Sequence, residues 1–202
     1  SGTELVVNQT ETGNYDTIQA AVNNASDNDT ITVESGAYDE RVTVNTSVTI
    51  QGNDTGNGLP VMIGDGQDGP AFEVVNDSVT ISGFGIEGPD PQTAPSGYTG
   101  NVTGVNVAGV SDTTITNVAF RQYNGTAVQL TNAQNANVSR NLFRGSNTSN
   151  ESIGVFTTGG STAGTIEITE NFVEGGENGI VVVSQGTTSG VTIQQNYVED
   201  TQ

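Results

Sequence analysis

Five stretches of this chain repeat one another, and that repetition limits the possible fold more than any other property. VTISGFGIEG from Val79, TTITNVAFRQ from Thr113, ANVSRNLFRG from Ala136, IEITENFVEG from Ile166 and VTIQQNYVED from Val191 lie over one another. One column then holds Ile81, Ile115, Val138, Ile168 and Ile193. Two residues earlier stand Val79, Thr113, Ala136, Ile166 and Val191; five residues later stand Ile86, Phe120, Phe143, Val173 and Val198. Alternation of this kind specifies a short strand with one buried face. Successive anchors are 34, 23, 30 and 25 residues apart, so loops of unequal length leave a constant frame. Such self-similarity marks a repeat architecture.

A second strand follows in each repeat: Gly104-Val105-Asn106-Val107, Ala127-Val128-Gln129-Leu130, Gly154-Val155-Phe156 and Gly179-Ile180-Val181-Val182. Hairpins do not fit this spacing. A coil in which each strand pairs with its equivalent one turn on does, at about 4.8 Å per turn. Less regular turns are visible at 31–33, 41–44, 47–52, 60–64 and 71–75. The expected fold is all-β, a right-handed parallel β-helix of about seven turns in a single domain over 1–202. Residues 1–30 form an N-terminal cap and 31–202 the turns. In the cap, Asp16-Thr17-Ile18-Gln19 reads as a capping box and Ile18, Ala21, Val22 and Ala25 as one apolar face, predicting a helix over about 16–25 that covers the first turn. No matching cap follows Val198, so the far end is expected to continue into more chain or to meet another subunit by self-assembly. Asn141, Asn171 and Asn196 share a column three residues after the anchor and predict an asparagine ladder at a corner, where asparagine tolerates left-handed backbone angles.

Charge sets the surroundings. The 202 residues carry 23 acidic and 4 basic side chains, a net charge of -19. All four bases are arginines (Arg41, Arg121, Arg140 and Arg144). Like charge at this density repels itself, and molar salt, with a Debye length of about 3 Å, removes most of that penalty. The composition predicts a protein of a salty environment, a halophilic archaeon or its virus. Nucleic acid is not an expected partner, because no basic patch exists to neutralise phosphates. Absence of cysteine excludes disulfides and thiolate chemistry; absence of histidine removes the commonest general base and transition-metal ligand. No apolar stretch approaches the roughly 20 residues of a membrane span, and the opening Ser1-Gly2 suggests a processed product. The Asn-x-Ser/Thr pattern begins at Asn8, Asn24, Asn28, Asn45, Asn53, Asn76, Asn101, Asn124, Asn137, Asn147 and Asn150, which makes these asparagines candidate glycosylation sites in an extracellular or cell-surface glycoprotein.

The layout resembles the pectin-lyase-like superfamily of right-handed β-helices, and more closely the repeat-rich surface proteins of haloarchaea and the NosD-type group. The run YDTIQAAVNNASDNDTITVESGAYDERVTV and the repeated Asn-x-aromatic or Asn-x-aliphatic corners carry the likeness. It implies the fold and leaves the activity open, since this scaffold hosts lyases, hydrolases, esterases, adhesins and tail spikes. Gly36-Ala37-Tyr38-Asp39-Glu40 matches a GxYxE segment of pectin methylesterases, but the paired-aspartate motif of that family is absent. The segment is therefore expected to be structural, with Glu40 pairing Arg41 or a neighbouring rung. Polygalacturonase-like hydrolases resemble one another through a Gly-His-Gly and an Arg-x-Lys, and this chain has neither histidine nor lysine.

Register sorts the remaining candidates. Six residues after each anchor lie Glu87, Arg121, Arg144, Glu174 and Glu199, so Arg121 should meet Glu87, and Arg144 should meet Glu174; Arg140 should neighbour Glu170. If a catalytic site exists, Arg121, Arg144 and Glu174 mark its face. Four residues after the anchor, Ala119, Leu142, Phe172 and Tyr197 should form an outward apolar stripe, a docking surface for carbohydrate or a protein partner, joined by Tyr98 in the insertion at 88–101. The loops around Asp54 and around Asp65 and Asp68 are calcium candidates; no other cofactor is expected. The expected role is a non-catalytic exterior module for binding, adhesion or assembly. The rivals are a carbohydrate-active lyase or hydrolase and a viral spike or filament subunit.

Overall fold

The computed structural model describes residues 2–10, 14–63, 69–88, 102–123, 125–145, 151–157, 162–175, 178–185, 187–188 and 190–199. The chain opens with β1 (Glu4–Val7) and the helix α1 (Ile18–Asn24). The first turn is β2 (Thr30–Glu34), β3 (Ala37–Tyr38) and β4 (Val42–Val44); the second is β5 (Thr49–Asn53), β6 (Val61–Ile63) and β7 (Phe72–Val74). Then come β8 (Thr80–Ser82), β9 (Gly85–Glu87) and β10 (Val102–Ala108), followed by β11 (Thr114–Thr116), β12 (Ala119–Arg121) and β13 (Thr126–Thr131). The next turn is β14 (Ala136–Ser139), β15 (Leu142–Arg144) and β16 (Glu151–Thr157). After the short β17 (Thr162–Ala163) run β18 (Ile166–Thr169), β19 (Phe172–Glu174) and β20 (Asn178–Ser184). The last elements are β21 (Thr187–Thr188), which pairs with β17, then β22 (Val191–Gln194) and β23 (Tyr197–Glu199).

Equivalent strands stack into three parallel sheets. Sheet 1 runs β1-β2-β5-β8-β11-β14-β18-β22, sheet 2 runs β3-β6-β9-β12-β15-β19-β23, and sheet 3 runs β4-β7-β10-β13-β16-β20. This is the parallel β-helix that the repeat predicts. Ile31, Ile50, Ile81, Ile115, Val138 and Ile168 are paired in register along sheet 1, all fully buried. Ile193 continues the column but is 48% exposed on the final rung. In sheet 2 the inward column includes Phe120 and Phe143, whose rings stack at 4.7 Å.

Three expectations need correction. Each repeated segment is two strands, because the residue two after the anchor turns the backbone sharply. Gly83, Asn117, Arg140, Glu170 and Gln195 all have φ between 54° and 73°, a left-handed column that separates sheet 1 from sheet 2. The asparagine ladder forms where expected, three residues after the anchor, but its members do not carry the left-handed angle. Asn141 Nδ2 donates to Asn171 Oδ1 at 3.1 Å, and Asn171 Nδ2 to Asn196 Oδ1 at 3.0 Å.

The third correction concerns the N-terminus. β1 pairs with β2, so a rung precedes the helix. The helix expected over about 16–25 spans Ile18–Asn24, and its N-cap is Thr17, whose hydroxyl accepts from Ala20 N at 3.2 Å; Asp16 is not the cap. Gln19 does not close a capping box. Its side-chain amide accepts from Thr43 N at 2.7 Å and donates to Thr43 O at 3.2 Å, satisfying β4 at the edge of sheet 3. Glu40 supplies the second cap, Oε1 accepting from Ile18 N at 2.8 Å and Oε2 from Gln19 N at 3.0 Å. It therefore does not pair with Arg41, which donates to the carbonyls of Glu40 and Ile63, both at 3.1 Å. The GxYxE turn is structural, completed by the buried Tyr38 hydroxyl donating to Glu34 O at 2.8 Å.

Candidate functional site

Every strand of sheet 2 from β6 onward has three residues, so the middle side chain points into the coil and the outer two face away from it. Register turns these outer positions into two columns. The first reads Ala37, Val61, Gly85, Ala119, Leu142, Phe172 and Tyr197. The second reads Ile63, Glu87, Arg121, Arg144, Glu174 and Glu199. The stripe Leu142, Phe172 and Tyr197 thus lies beside Arg121, Arg144 and Glu174 on one face.

From Gly85 onward the first column grows along the axis. Leu142 and Phe172 are half-buried and Tyr197 is 55% exposed. Phe172 and Tyr197 stack with centroids 5.0 Å apart and planes 14° from parallel. At the small end the column borders an open groove of about 340 Å³ lined by Asn57–Leu59, Val61, Phe84, Gly85, Ala119 and Arg121. Gly85 keeps the floor low, since a Cβ there would come within 3.2 Å of Val61 Cγ2. The wall loop is braced from below. Asp54 Oδ1 accepts from Gly56 N at 2.8 Å and Gly58 N at 2.9 Å; Ser35 Oγ accepts from Thr55 N at 2.9 Å and donates to Gly58 O.

In the second column Arg144 Nε donates to Glu174 Oε2 at 2.9 Å, and Arg121 stands 3.9 Å from Glu87. Both register-based pairings form. The third does not: among the described residues Arg140 makes no ion pair with Glu170.

Other candidates disperse. Asp54 Oδ1 is engaged by its own loop, and among the described residues no cluster of three metal-ligating side chains occurs. Tyr98, Asp65, Asp68, Asn101, Asn124, Asn147 and Asn150 lie outside the described residues. Of the remaining sequon asparagines, Asn24, Asn28, Asn45 and Asn53 are exposed. The amides of Asn8, Asn76 and Asn137 donate to Glu34, to Ser47 Oγ at 3.1 Å and to Glu167 at 3.3 Å. Asn137 and Glu167 also line a hollow of about 300 Å³ on sheet 1.

Sequence reasoning missed the groove. Gly85 falls in the stripe's column, but without a side chain it does not read as part of a stripe. Val61 lies in a turn too irregular to align. It also missed a polar contact on the outer face of sheet 3, where Asn106 Nδ2 donates to both oxygens of Glu73 at 2.9 and 3.1 Å. A polar residue framed by aliphatics in consecutive second strands was the available signal.

Among the described residues no helix is long and apolar enough to cross a membrane. A family model described as protein of unknown function (DUF1565) matches residues 1–201. No curated protein matches the chain. Among solved structures, a protein from Parabacteroides merdae provisionally assigned as a glycosyl hydrolase is similar at 15% identity and TM-score 0.72, over 98% of either chain. ORF18 of Geobacillus virus E2 is similar at 14% identity and TM-score 0.69, over 94% of this chain and 41% of its own length. Escherichia coli ybhc is similar at 12% identity and TM-score 0.55, over 93% of this chain and 66% of its own. At these identities the likeness establishes the fold.

Proposed function

The chain belongs to the DUF1565 family, and on that premise and the geometry of sheet 2 we propose that it is a saccharide-docking module holding a polysaccharide along the β-helix axis. The observation that carries this reading is the Phe172–Tyr197 stack, outward on adjacent rungs beside a ladder of arginine and glutamate. The stacked pair presents a continuous apolar edge to solvent against which the apolar faces of sugar rings can pack, while neighbouring charged groups take the hydroxyls. The Parabacteroides merdae protein's assignment to a class that acts on glycosidic bonds is in keeping with a saccharide ligand. We read the docking as non-catalytic, since Glu174 is bonded to Arg144 and Glu87 stands beside Arg121. The net charge of -19 and the exposed Asn28, Asn45 and Asn53 sequons support a place outside the cell in high salt.

Calorimetry against a polysaccharide panel in molar salt tests the reading. At least one polymer should bind, and Tyr197→Ala should weaken binding about tenfold with little change in melting temperature, whereas Phe172→Ala, at a half-buried position, should lower both. A wild-type chain that retains none of the panel would end the proposal. A second reading, a carbohydrate-active enzyme, draws on the register pairing of Glu174 with Glu199. Release of reducing or unsaturated ends by the wild type and its loss in Arg144→Ala would favour it.

A further inference from the structure

Thr32 stands on the outer face of sheet 1, and two side chains reach it from the rungs on either side. Its hydroxyl donates to Glu4 Oε1 at 2.7 Å, a diagonal contact across to β1. The same oxygen accepts from Gln51 Nε2 at 3.3 Å, and Gln51 is the register partner of Thr32 on β5. Glu4 is therefore placed to take the hydroxyl proton, and a carboxamide lies against the oxygen that would lose it. Thr32 is 7% exposed, whereas Glu4 and Gln51 face solvent. A shielded nucleophile in contact with both a base and an acyl group is the arrangement of an acyl transfer.

Two other hydroxyl–amide contacts lack the third member. Gln129 Nε2 donates to Thr131 Oγ1 at 3.2 Å, and Asn76 Nδ2 to Ser47 Oγ at 3.1 Å. Among the described residues neither hydroxyl donates to a side-chain carboxylate; that of Ser47 donates to Asp77 O at 2.8 Å. Composition narrows the chemistry further. The chain has no cysteine, and its 4 basic residues are all arginine, so neither a disulfide nor a lysine amide can tie one rung to the next. A hydroxyl and a carboxamide can.

We propose that Thr32 and Gln51 form an ester that joins β2 to β5 covalently, with Glu4 as its general base. Glu4 removes the Thr32 hydroxyl proton, and rotation about the soft terminal torsion of Gln51 turns Cδ toward Oγ1. Oγ1 bonds to Cδ, Glu4 passes the proton to Nε2, the Cδ–Nε2 bond breaks and ammonia leaves into solvent. One hydroxyl and one carboxamide become one ester and one ammonia, with no oxidant or cofactor. A carboxamide is a poor acyl donor, and fixing both groups on adjacent rungs supplies the effective concentration that the step needs. It occurs once per chain and ties the first turn of the coil to the second. This inference is independent of saccharide docking.

Trypsin reads out the link, because Arg41 is the one arginine between the two residues. Without a bond, digestion of the denatured full chain releases 1–41 and 42–121 separately. In wild type they should remain one species, lighter than the two together by one ammonia, and hydroxylamine should part them. Cyclisation of Asn57 onto Gly58 also expels ammonia but joins nothing, so the joining decides. Thr32→Val keeps the shape of the side chain and removes the nucleophile, and its fragments should stay apart. Glu4→Gln should slow joining about a hundredfold or more. Wild-type fragments that separate completely after days of incubation would overturn the proposal. So would joining in Thr32→Val, or joining at an undiminished rate in Glu4→Gln.

Discussion

Asn171 lies 2% exposed at the corner between sheets 1 and 2, and its side chain is fully bonded. Its Oδ1 accepts from Asn141 N and Nδ2 at 3.0 and 3.1 Å, while its Nδ2 donates to Val138 O at 2.8 Å and to Asn196 Oδ1 at 3.0 Å. Asn171→Ala strands several of these groups in a dry corner and should cost about 3 kcal/mol in urea denaturation. Asn171→Asp should also destabilise, since a carboxylate cannot donate to Val138 O. Two tyrosines make the alkaline limb predictable. Burial, with the charges of Glu34 and Glu40 adding to it, pushes Tyr38 up to about 12 from 10.0. Burial likewise pushes Tyr123 up to about 12, only partly offset by its 2.6 Å hydrogen bond with Ser152. Between those values the unfolded chain has shed protons that the folded chain keeps. Their contribution is intact below pH 10 and drains away as pH rises to about 12. Ultraviolet titration should find both hydroxyls ionising only as the fold opens; ionisation near 10 in folded protein would contradict their burial. On the acid side, backbone N–H bonds from Ser26 and Thr3 hold Asp29 below its ordinary 3.8. That stabilisation is present above 3.8 and fades as pH falls through the lower folded value, so Asp29→Asn should flatten the acid limb.

The element that most depends on distant residues is α1. It has seven residues, too few to be stable alone, and holds through Ile18, Ala21 and Val22 packed into the coil's end. Glu40 binds its first two N–H groups, and Gln19 returns the connection by pairing with Thr43. The helix thereby packs against β4 at an edge of sheet 3 that would otherwise expose unpaired backbone. Glu40→Ala should cost about 1–2 kcal/mol and speed hydrogen exchange at Ile18 and Gln19, with sheets 1 and 2 protected as before. Unchanged exchange at those two amides would show that the cap contributes nothing.

For the molecule as a whole, charge outweighs any single contact. A net -19 spread over 202 residues opposes compaction at low ionic strength, and added salt relieves it faster than it weakens two exposed ion pairs. The melting temperature should rise by about 10 °C between roughly 0.1 and 2 M potassium chloride. A flat or falling curve would refute adaptation to high salt. The groove and the aromatic stripe lie on one sheet face, so a bound polymer would extend along the axis.

The winding was already legible in the order of residues. Aliphatics at Ile81, Ile115, Val138 and Ile168 had to share an interior, and the asparagine column had to mark a corner, because a coil repeats its sterics at every turn. The same register placed Arg144 against Glu174 without any coordinates. What stayed open depended on groups far apart along the chain. The left-handed column at Gly83, Asn117, Arg140, Glu170 and Gln195 has no shared residue type, so no residue pattern marks the turn that splits each segment into two strands. Glu40's bond to a helix 21 and 22 residues earlier, and the groove built from Asn57, Gly85 and Arg121, exist only after rungs of unequal length have stacked. Periodicity fixes which side chains share a column; loop length, which carries no periodicity, decides what stands beside it.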